Sequence, residues 1–371
     1  MRVTGNNFRT IWPDPRCKSV HIIDQTLLPH QFAVVEIHSL TSMIRAINTM
    51  QVRGAPLIGA AAAYGLALAS SQDDSYSEAQ SNSYLQEVAK DLIASRPTAV
   101  NLQWAVKRVL SKLLGLPLES RNMAAWKEAA LICEEDVKFN QAIGQHGLQL
   151  IKKIVVAKNS KENSTNSSPI NILTHCNAGW LATVDFGTAL SAIYAAHDAG
   201  INVHVWVDET RPRNQGASLT AWELLQHGVP YTVISDNAGG HLMQHGLVDM
   251  VIVGADRVTN SGDVCNKIGT YLKALAAFDN NVPFYVAVPS PTIDWTICDG
   301  LNQIEIEQRN SDEVAWVQGK LANGELASVN ILPQGSGAAN PAFDITPARL
   351  VTSIITERGA CEPSQLMKMF C

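Results

Sequence analysis

INILTHCNAG (residues 170–179) joins a short apolar run to a polar turn, and MVIVGADRV (residues 250–258) has the same arrangement. Such runs recur between residues 170 and 288, and helix-like stretches separate them. We predict strands at 170–174, 203–207, 231–234, 250–254 and 284–288, with helices at 183–198, 218–227, 239–245 and 269–278. Apolar strands that alternate with helices are typical of a parallel sheet that is buried on both faces. The sequence therefore predicts an α/β protein with a Rossmann-like sheet and right-handed crossovers.

The first part of the chain has a different pattern, because apolar residues recur there every three to four positions. We predict helices at 41–50, 58–69, 83–95, 102–114 and 123–155. Polar loops interrupt the pattern at 70–80 and at 157–169, where AKNSKENSTNSSP changes the composition abruptly. We therefore expect a smaller, mainly helical domain over residues 1–156 and a Rossmann-like catalytic domain over residues 170–371.

Composition excludes several classes of protein. With 371 residues, 46% hydrophobic and 17% charged, the chain has the make-up of a globular enzyme. A net charge of −6 gives no electrostatic footprint for nucleic acid, and the apolar run at 55–69 is too short to span a bilayer. Seven cysteines without CxxC spacing fit reduced thiols, and we expect no signal peptide, because the first ten residues have no basic stretch followed by an apolar one. We expect a cytoplasmic protein with neither nucleic-acid nor membrane partners.

Polar residues follow the predicted strands directly. Cys176 comes after the first strand and Asp256 after the fourth. Because the carboxyl ends of parallel strands share one edge of the sheet, where ligands bind, we expect the thiol and the carboxyl to meet in one crevice. Such a pair indicates proton or hydride chemistry on a small anionic molecule. Taken alone, Cys176 could be a buried structural thiol, and Asp236 or Ser290 at other strand ends could be a helix cap.

Two segments are suited to an anion. The segment 266–270, NKIGT, is expected to open a helix, which would place Asn266, Lys267 and free backbone N–H groups at a positive helix end. The segment 53–56, RGAP, precedes a Gly/Ala-rich helix, where Arg53 could clasp an anion. Taken alone, Lys267 could be a solvated surface lysine.

The sequence offers little support for a cofactor. It has neither GxGxxG after a strand nor a Walker A sequence, so a dinucleotide or nucleoside triphosphate is not expected. His241 and His245 are four residues apart, as in a zinc-binding helix, but a third ligand is not evident. We expect no metal and no organic cofactor.

Several motifs, in this order, carry a family resemblance: RGAPLIGAAAAYG (53–65), THCNAG (174–179), DETRPRNQG (208–216), SDN (235–237), GADRV (254–258), NKIGT (266–270) and NPAFDITP (340–347). Together they resemble the methylthioribose-1-phosphate isomerases, whose superfamily also contains regulatory subunits of initiation factor 2B and ribose-1,5-bisphosphate isomerases. The resemblance covers nearly the whole chain. It implies isomerisation of 5-methylthioribose 1-phosphate to 5-methylthioribulose 1-phosphate in methionine salvage, without metal or organic cofactor. It also implies a homodimer in the cytoplasm, with a nuclear fraction where the source is eukaryotic.

The resemblance also assigns site residues. Cys176 matches the family's catalytic cysteine and Asp256 its proton donor. Substrate and phosphate contacts of the family fall on Arg53, Gly54, Ala55, Arg96, Gln215, Asn266 and Lys267. The helical domain is expected to bring Arg53 and Arg96 over the crevice.

The chemistry explains these residue types. Phosphate on the anomeric oxygen locks the sugar ring, so an acid must open it, and Asp256 can act only if its surroundings raise its pKa. Hydrogen then moves from C2 to C1, either as a proton with the Cys176 thiolate as base or as a hydride, which the apolar strand ends favour. Two alternatives stay open. A ribose-1,5-bisphosphate isomerase would need extra cations, and a non-catalytic regulatory subunit would need neither Cys176 nor Asp256.

Overall fold

The computed structural model describes residues 1–71, 77–96, 98–162 and 168–370. Its first strands are β1 (Arg2–Val3), β2 (Asn6–Asn7), β3 (Ile11–Pro13), β4 (Val20–Ile23) and β5 (Val34–Ile37). β1 and β2 form a ribbon, and β3, β4 and β5 form an antiparallel sheet in that order. The sequence analysis predicted no strand here, because runs of two to four residues are too short to show alternation.

Helices follow: α1 (Leu40–Asn48), α2 (Ala55–Ser70), α3 (Glu78–Ser95), α4 (Val100–Leu114) and α5 (Leu118–Glu162). Local capping explains two of their starts, since Ser39 accepts a hydrogen bond from the backbone of Ser42 and Ser77 forms a capping box with Gln80. α2 is buried nearly throughout, as the sequence predicts. None of the described helices is long and apolar enough to cross a membrane.

α5 is longer than the predicted helix at 123–155. It continues to Glu162, through the first residues of the predicted polar loop at 157–169, and residues 163–167 lie outside the described residues. The loop predicted at 70–80 likewise begins inside α2 and ends inside α3, with 72–76 not described. Lysine and glutamate are good helix formers, so a polar stretch can extend an exposed helix. The division into two domains stays a prediction.

The second part of the chain, from residue 170 onward, contains most of the strands. Its strands are β6 (Ile170–Thr174), β7 (Val203–Asp208), β8 (Tyr231–Ile234), β9 (Met250–Val253), β10 (Arg257–Thr259), β11 (Val264–Lys267), β12 (Phe284–Ala287), β13 (Ile293–Asp294), β14 (Trp316–Lys320), β15 (Leu326–Asn330), β16 (Phe343–Thr346), β17 (Ser353–Thr356) and β18 (Gly359–Cys361). Its helices are α6 (Ala189–Asp198), α7 (Ala221–His227), α8 (Ala238–Gln244), α9 (Thr270–Asp279), α10 (Gly300–Gln303), α11 (Asp312–Ala315) and α12 (Leu366–Phe370).

The main sheet has the order β18-β17-β12-β9-β6-β7-β8 and is parallel except where β18 pairs with β17. The predicted parallel Rossmann-like sheet is therefore confirmed. Burial on both faces is wrong for β8, which is half exposed because it lies at the edge of the sheet.

A second sheet, in the order β13-β10-β11-β16, and the hairpin β14–β15 were not predicted. The second sheet matters for the site because β11 carries Asn266 and Lys267. Both residues had been expected at the start of a helix, but α9 begins three residues after Lys267.

Candidate active site

The turn after β6 holds Cys176 in an unusual backbone conformation, with φ of 64°, in the left-handed region. Two threonines stabilise this turn. The backbone N–H of Cys176 donates to Oγ1 of Thr210 at 2.8 Å, and Oγ1 of Thr220 donates to the Cys176 carbonyl at 2.7 Å. The thiol itself lies 3.4 Å from Oε1 of Gln215 and is buried. Such strain, held in place by neighbours, is common at functional sites.

Asp256 lies in the loop between β9 and β10, where its backbone N–H donates to the carbonyl of Cys265 at 2.9 Å. The residue as a whole is partly exposed. Desolvation by the surrounding protein raises the pKa of Asp256, and the charges of Lys267, Arg96 and Arg53 oppose that rise. The pKa of the Cys176 thiol is also raised by burial, although Arg53 and Lys267 lower it. Burial therefore shifts both groups toward their neutral forms.

Three cations converge on this pair. Arg53, Arg96 and Lys267 are all buried. Burial lowers the pKa of Lys267, whose ammonium lies 4.7 Å from the ring of Phe343. Among the described residues, Nε and Nη1 of Arg96 have no hydrogen-bond partner, and its Nη2 is 3.7 Å from the carboxylate of Glu307. A buried guanidinium with unused donors can bind an anion such as phosphate.

The remaining predicted residues adjoin the same place. Gly54 caps the start of α2 with φ of 94°, and a Cβ there would stand 2.5 Å from the carbonyl oxygen of Ala182. Only glycine fits such a position. Ala55 is the first residue of α2, and Asn266 donates to Oγ1 of Thr270 at 3.0 Å. A small cavity of about 30 Å³ is lined by Arg53, Gly54, Ala55, Asp256 and Asn266 among others. A larger cavity, of about 530 Å³, adjoins Arg53 and Gln215.

The N-terminus of α9 is not the anion site that the sequence predicted. The backbone N–H groups of Gly269 and Tyr271 donate to the carboxylate of Asp344, at 2.7 and 3.1 Å. This end of the helix is therefore already satisfied by a carboxylate of the chain itself. Asn266 and Lys267 face the site from β11 instead.

One group of side chains among the described residues is close enough together to hold a metal ion. It consists of His175, Asp208 and Asp236. Most of their ligand atoms are already engaged, although Oδ1 of Asp208 has no hydrogen-bond partner among the described residues. Nδ1 of His175 is 2.8 Å from Asp208, Nε2 is 2.8 Å from the carbonyl of Ile268, and the Lys273 ammonium is 3.2 Å from Asp208. An ammonium beside the carboxylate repels a metal ion, so this group is an ion-pair network behind Cys176.

His241 and His245 have ring centroids 4.2 Å apart, and neither belongs to a group of three metal-ligating side chains within the described residues.

The polar residues that support the Cys176 turn were not predicted from the sequence. Glu223 is a carboxyl inside α7, and the signal was present, because AWELL places one charge among apolar residues. Burial raises the pKa of Glu223 to about 7, against hydrogen bonds from Asn177, Tyr194 and two backbone N–H groups. Asn177 lies within the motif THCNAG, but the sequence pattern assigns it no role.

Comparisons with known proteins show the family to which the chain belongs. The model of the Initiation factor 2 subunit family matches residues 51–363. The chain is 60% identical to a methylthioribose-1-phosphate isomerase of Rhodospirillum rubrum, covering 98% of this chain and 91% of the relative, and 58% identical to one of Brucella anthropi, covering 98% and 97%. Its structure is similar to that of 5-methylthioribose 1-phosphate isomerase from Pyrococcus horikoshii, with a TM-score of 0.81, 38% identity and coverage of 98% and 96%. It is also similar to translation initiation factor eIF-2B, subunit delta, from A. fulgidus, with a TM-score of 0.76, 38% identity and coverage of 97% and 98%.

Proposed function

Because the chain belongs to the Initiation factor 2 subunit family and to the methylthioribose-1-phosphate isomerases within it, we propose that it converts 5-methylthioribose 1-phosphate to 5-methylthioribulose 1-phosphate. The observation that supports this proposal is that buried Arg53 and Lys267 act electrostatically on both Cys176 and Asp256, and buried Arg96 acts on Asp256. The same kinship supports a role in methionine salvage and a cytoplasmic location.

Ring opening is assigned to Asp256. The phosphate prevents the sugar from opening spontaneously, so the ring oxygen must be protonated as its bond to C1 breaks. The raised pKa of Asp256 supports this role, because it keeps a proton on the carboxyl closer to neutral pH than an exposed aspartate could. Ring opening leaves the carboxylate, which Lys267 and Arg96 stabilise.

The hydrogen transfer is assigned to a hydride route. Hydrogen moves with its electron pair from C2 to C1, the C2 hydroxyl becomes the ketone, and its proton returns to the Asp256 carboxylate directly or by way of Cys176. The alternative route needs the Cys176 thiolate to remove a proton from C2. The raised pKa of Cys176 disfavours that thiolate, since burial penalises the charged form.

The substrate phosphate is assigned to the cations. Arg96 has two donor nitrogens without a partner among the described residues, and Lys267 lies nearby in a desolvated position. Burial removes water from around these two cations. A phosphate bound there would accept hydrogen bonds from the free donors and would neutralise the positive charge.

The larger cavity supports a 5-methylthio group over a second phosphate. Its lining includes the apolar side chains of Leu28, Met50 and Trp316. Of the two arginines in this lining, Arg53 is engaged with Asn177, and Arg213 is paired at 2.8 Å with Glu313, whose carboxylate would repel a phosphate. An apolar substituent fits such a lining better than a dianion.

We also propose that two copies of the chain pair, mainly through the sheet part. Leu225 on α7, Val233 on β8 and Leu247 after α8 are exposed apolar residues near the edge of the sheet. Light scattering during size exclusion should give twice the mass of one chain, and a monomer would reject this part of the proposal.

The activity is tested by incubating the purified protein separately with methylthioribose 1-phosphate and ribose 1,5-bisphosphate while ketose formation is followed. Turnover of the first alone is expected. Preferred turnover of the bisphosphate would support the rival isomerase, and no turnover of either would support a regulatory subunit. Cys298→Ser, at an exposed thiol, is the matched control for Cys176→Ser and should keep full activity.

A further inference from the structure

Glu223 occupies the centre of a buried hydrogen-bond network below the Cys176 turn, with a side chain 1% exposed. Its carboxyl accepts hydrogen bonds from the backbone N–H groups of Trp180 at 2.8 Å and Leu181 at 3.0 Å. It also accepts from Nδ2 of Asn177 at 2.9 Å and from the hydroxyl of Tyr194 at 2.8 Å. All of these partners are donors, so the carboxylate form satisfies them.

Space for this carboxylate depends on Gly179. A Cβ at that position would stand 1.9 Å from Oε2 of Glu223. The backbone of Gly179 itself has an ordinary φ of −92°, so the glycine is required for room and not for conformation. The turn therefore closes directly over Glu223.

The network fixes which way the amide of Asn177 points. Its Nδ2 donates to Glu223 and to Oγ1 of Thr220, whose own hydrogen is engaged with the Cys176 carbonyl. Its Oδ1 must then face the opposite side, where it accepts a hydrogen bond from Nη1 of Arg53. Nη2 of Arg53 donates to the backbone carbonyl of the same asparagine at 2.8 Å. An amide in the reverse orientation would present N–H groups to a guanidinium, which has only donors.

We propose that Glu223 is a positioning residue that orients Asn177 and thereby holds the Arg53 guanidinium in the substrate site. This inference rests on the proposed isomerase function. Glu223 does not touch the substrate in this scheme. It acts by presenting only acceptor atoms to the asparagine amide, so that Oδ1 is left for the arginine.

The test replaces Glu223 by glutamine, which keeps the shape and adds an amide NH₂. If that NH₂ faces Asn177, the asparagine must turn over and Arg53 loses its acceptor. If it faces Trp180, the buried backbone N–H of Trp180 loses its acceptor, and we expect the turn that carries Asn177 to shift and move the atoms that hold Arg53. At a pH of about 8, above the pKa of Glu223, we expect Glu223→Gln to raise KM by at least about tenfold and to change kcat by less than about threefold.

Tyr194→Phe is the matched control. It also removes one buried hydrogen bond to Glu223, keeps the ring that stacks on His227, and leaves Asn177 and Arg53 untouched. We expect its KM to stay within about twofold of the wild type. Equal KM effects in both variants would mean that Glu223 only stabilises the fold, and that would overturn the proposal.

A crystal structure of Glu223→Gln tests the same point without activity. We expect Nη2 of Arg53 to have left the backbone carbonyl of Asn177, and an unchanged Arg53 would overturn the proposal. If the wild type is inactive, that result counts against the isomerase function alone, because the position of Arg53 in the crystal structure can still be compared between the two proteins. If the glutamine variant does not fold, Glu223→Asp replaces it in both measurements. Its shorter arm withdraws the carboxylate from Nδ2 of Asn177, which frees the amide to turn over, so the same outcomes decide.

Discussion

Asp136 on α5 should make the stability of this protein depend on pH near neutrality. Its side chain is 8% exposed and accepts a hydrogen bond from the backbone N–H of Val184 at 2.8 Å. Burial raises its pKa from 3.8 to about 7, against that hydrogen bond. Asparagine at this position keeps an oxygen for the Val184 N–H and has no charge to desolvate. We therefore expect Asp136→Asn to be more stable than the wild type above neutral pH.

The direction and size of this pH effect on the free energy of unfolding follow from the difference between the folded and unfolded pKa values of Asp136. Between the unfolded and folded pKa values the folded protein holds a proton that the unfolded chain has lost, so raising the pH favours unfolding. Each pH unit in this window costs about 1.4 kcal/mol, and the loss levels off above the folded pKa. Integrated from about pH 5.5 to about pH 7.5, the wild type should lose about 2 kcal/mol relative to Asp136→Asn. Glu223 and Asp344, whose pKa values burial also raises, act alike in both proteins and cancel in the comparison.

The assay is urea unfolding of both proteins at the two pH values, with the free energy of unfolding extrapolated to water. The advantage of Asp136→Asn should grow by about 2 kcal/mol from the lower to the higher pH. Asp91→Asn, at an exposed carboxyl on α3, serves as the control and should show no such growth. The reasoning is refuted if the gap between Asp136→Asn and the wild type is the same at both pH values.

The other predictions concern the site. Cys176→Ser and Asp256→Asn should each lower kcat by more than tenfold with the fold intact by circular dichroism, and a smaller loss, under about 1.4 kcal/mol, would remove the assigned role. Lys267→Ala and Arg96→Ala should raise KM more than they lower kcat, because a phosphate is bound alike in ground and transition states; an effect on kcat alone would place these cations at developing charge instead. Turnover in D₂O should leave little deuterium at C1 of the ketose by mass spectrometry, whereas about one atom per turnover would reject the hydride route. Gly54→Ala should raise KM strongly, since its Cβ would meet a backbone carbonyl at 2.5 Å, and unchanged kinetics would show that the turn can relax.

Much of the fold could be predicted because long periodic segments carry their own signal. β6 and β8 fall at the predicted residues, and α2 and α4 differ from the predicted helices only at their ends. β10, β11, β13 and β16 could not be predicted, because strands of two to four residues show too little alternation, and the pairings of β10 with β13 and of β11 with β16 join residues far apart in the chain.

The site shows the same limit. Placing Cys176 and Asp256 at strand ends followed from local patterns and from topology. Assigning the N–H groups of α9 to a phosphate failed because Asp344, distant in sequence, caps that helix. The role of Glu223 could not be predicted for the same reason. Tertiary packing determines which donors surround a buried carboxyl. Sequence patterns locate candidate reacting groups, and tertiary packing decides what orients them.

α5 has a consequence for how this protein can be divided. Its first half, from Ala125 to Val137, belongs to the core of the helical part, while Ile143, Leu148 and Ile151 belong to the core beneath the main sheet. Gly144 and Gly147 fit so closely against α6 that a Cβ at either would stand 2.3 Å from it. A fragment beginning after α5 would expose this face of α6 to water and lose part of its core. The part that contains the main sheet is thus not a detachable module, and we expect it to evolve, express and unfold only together with the helices before it.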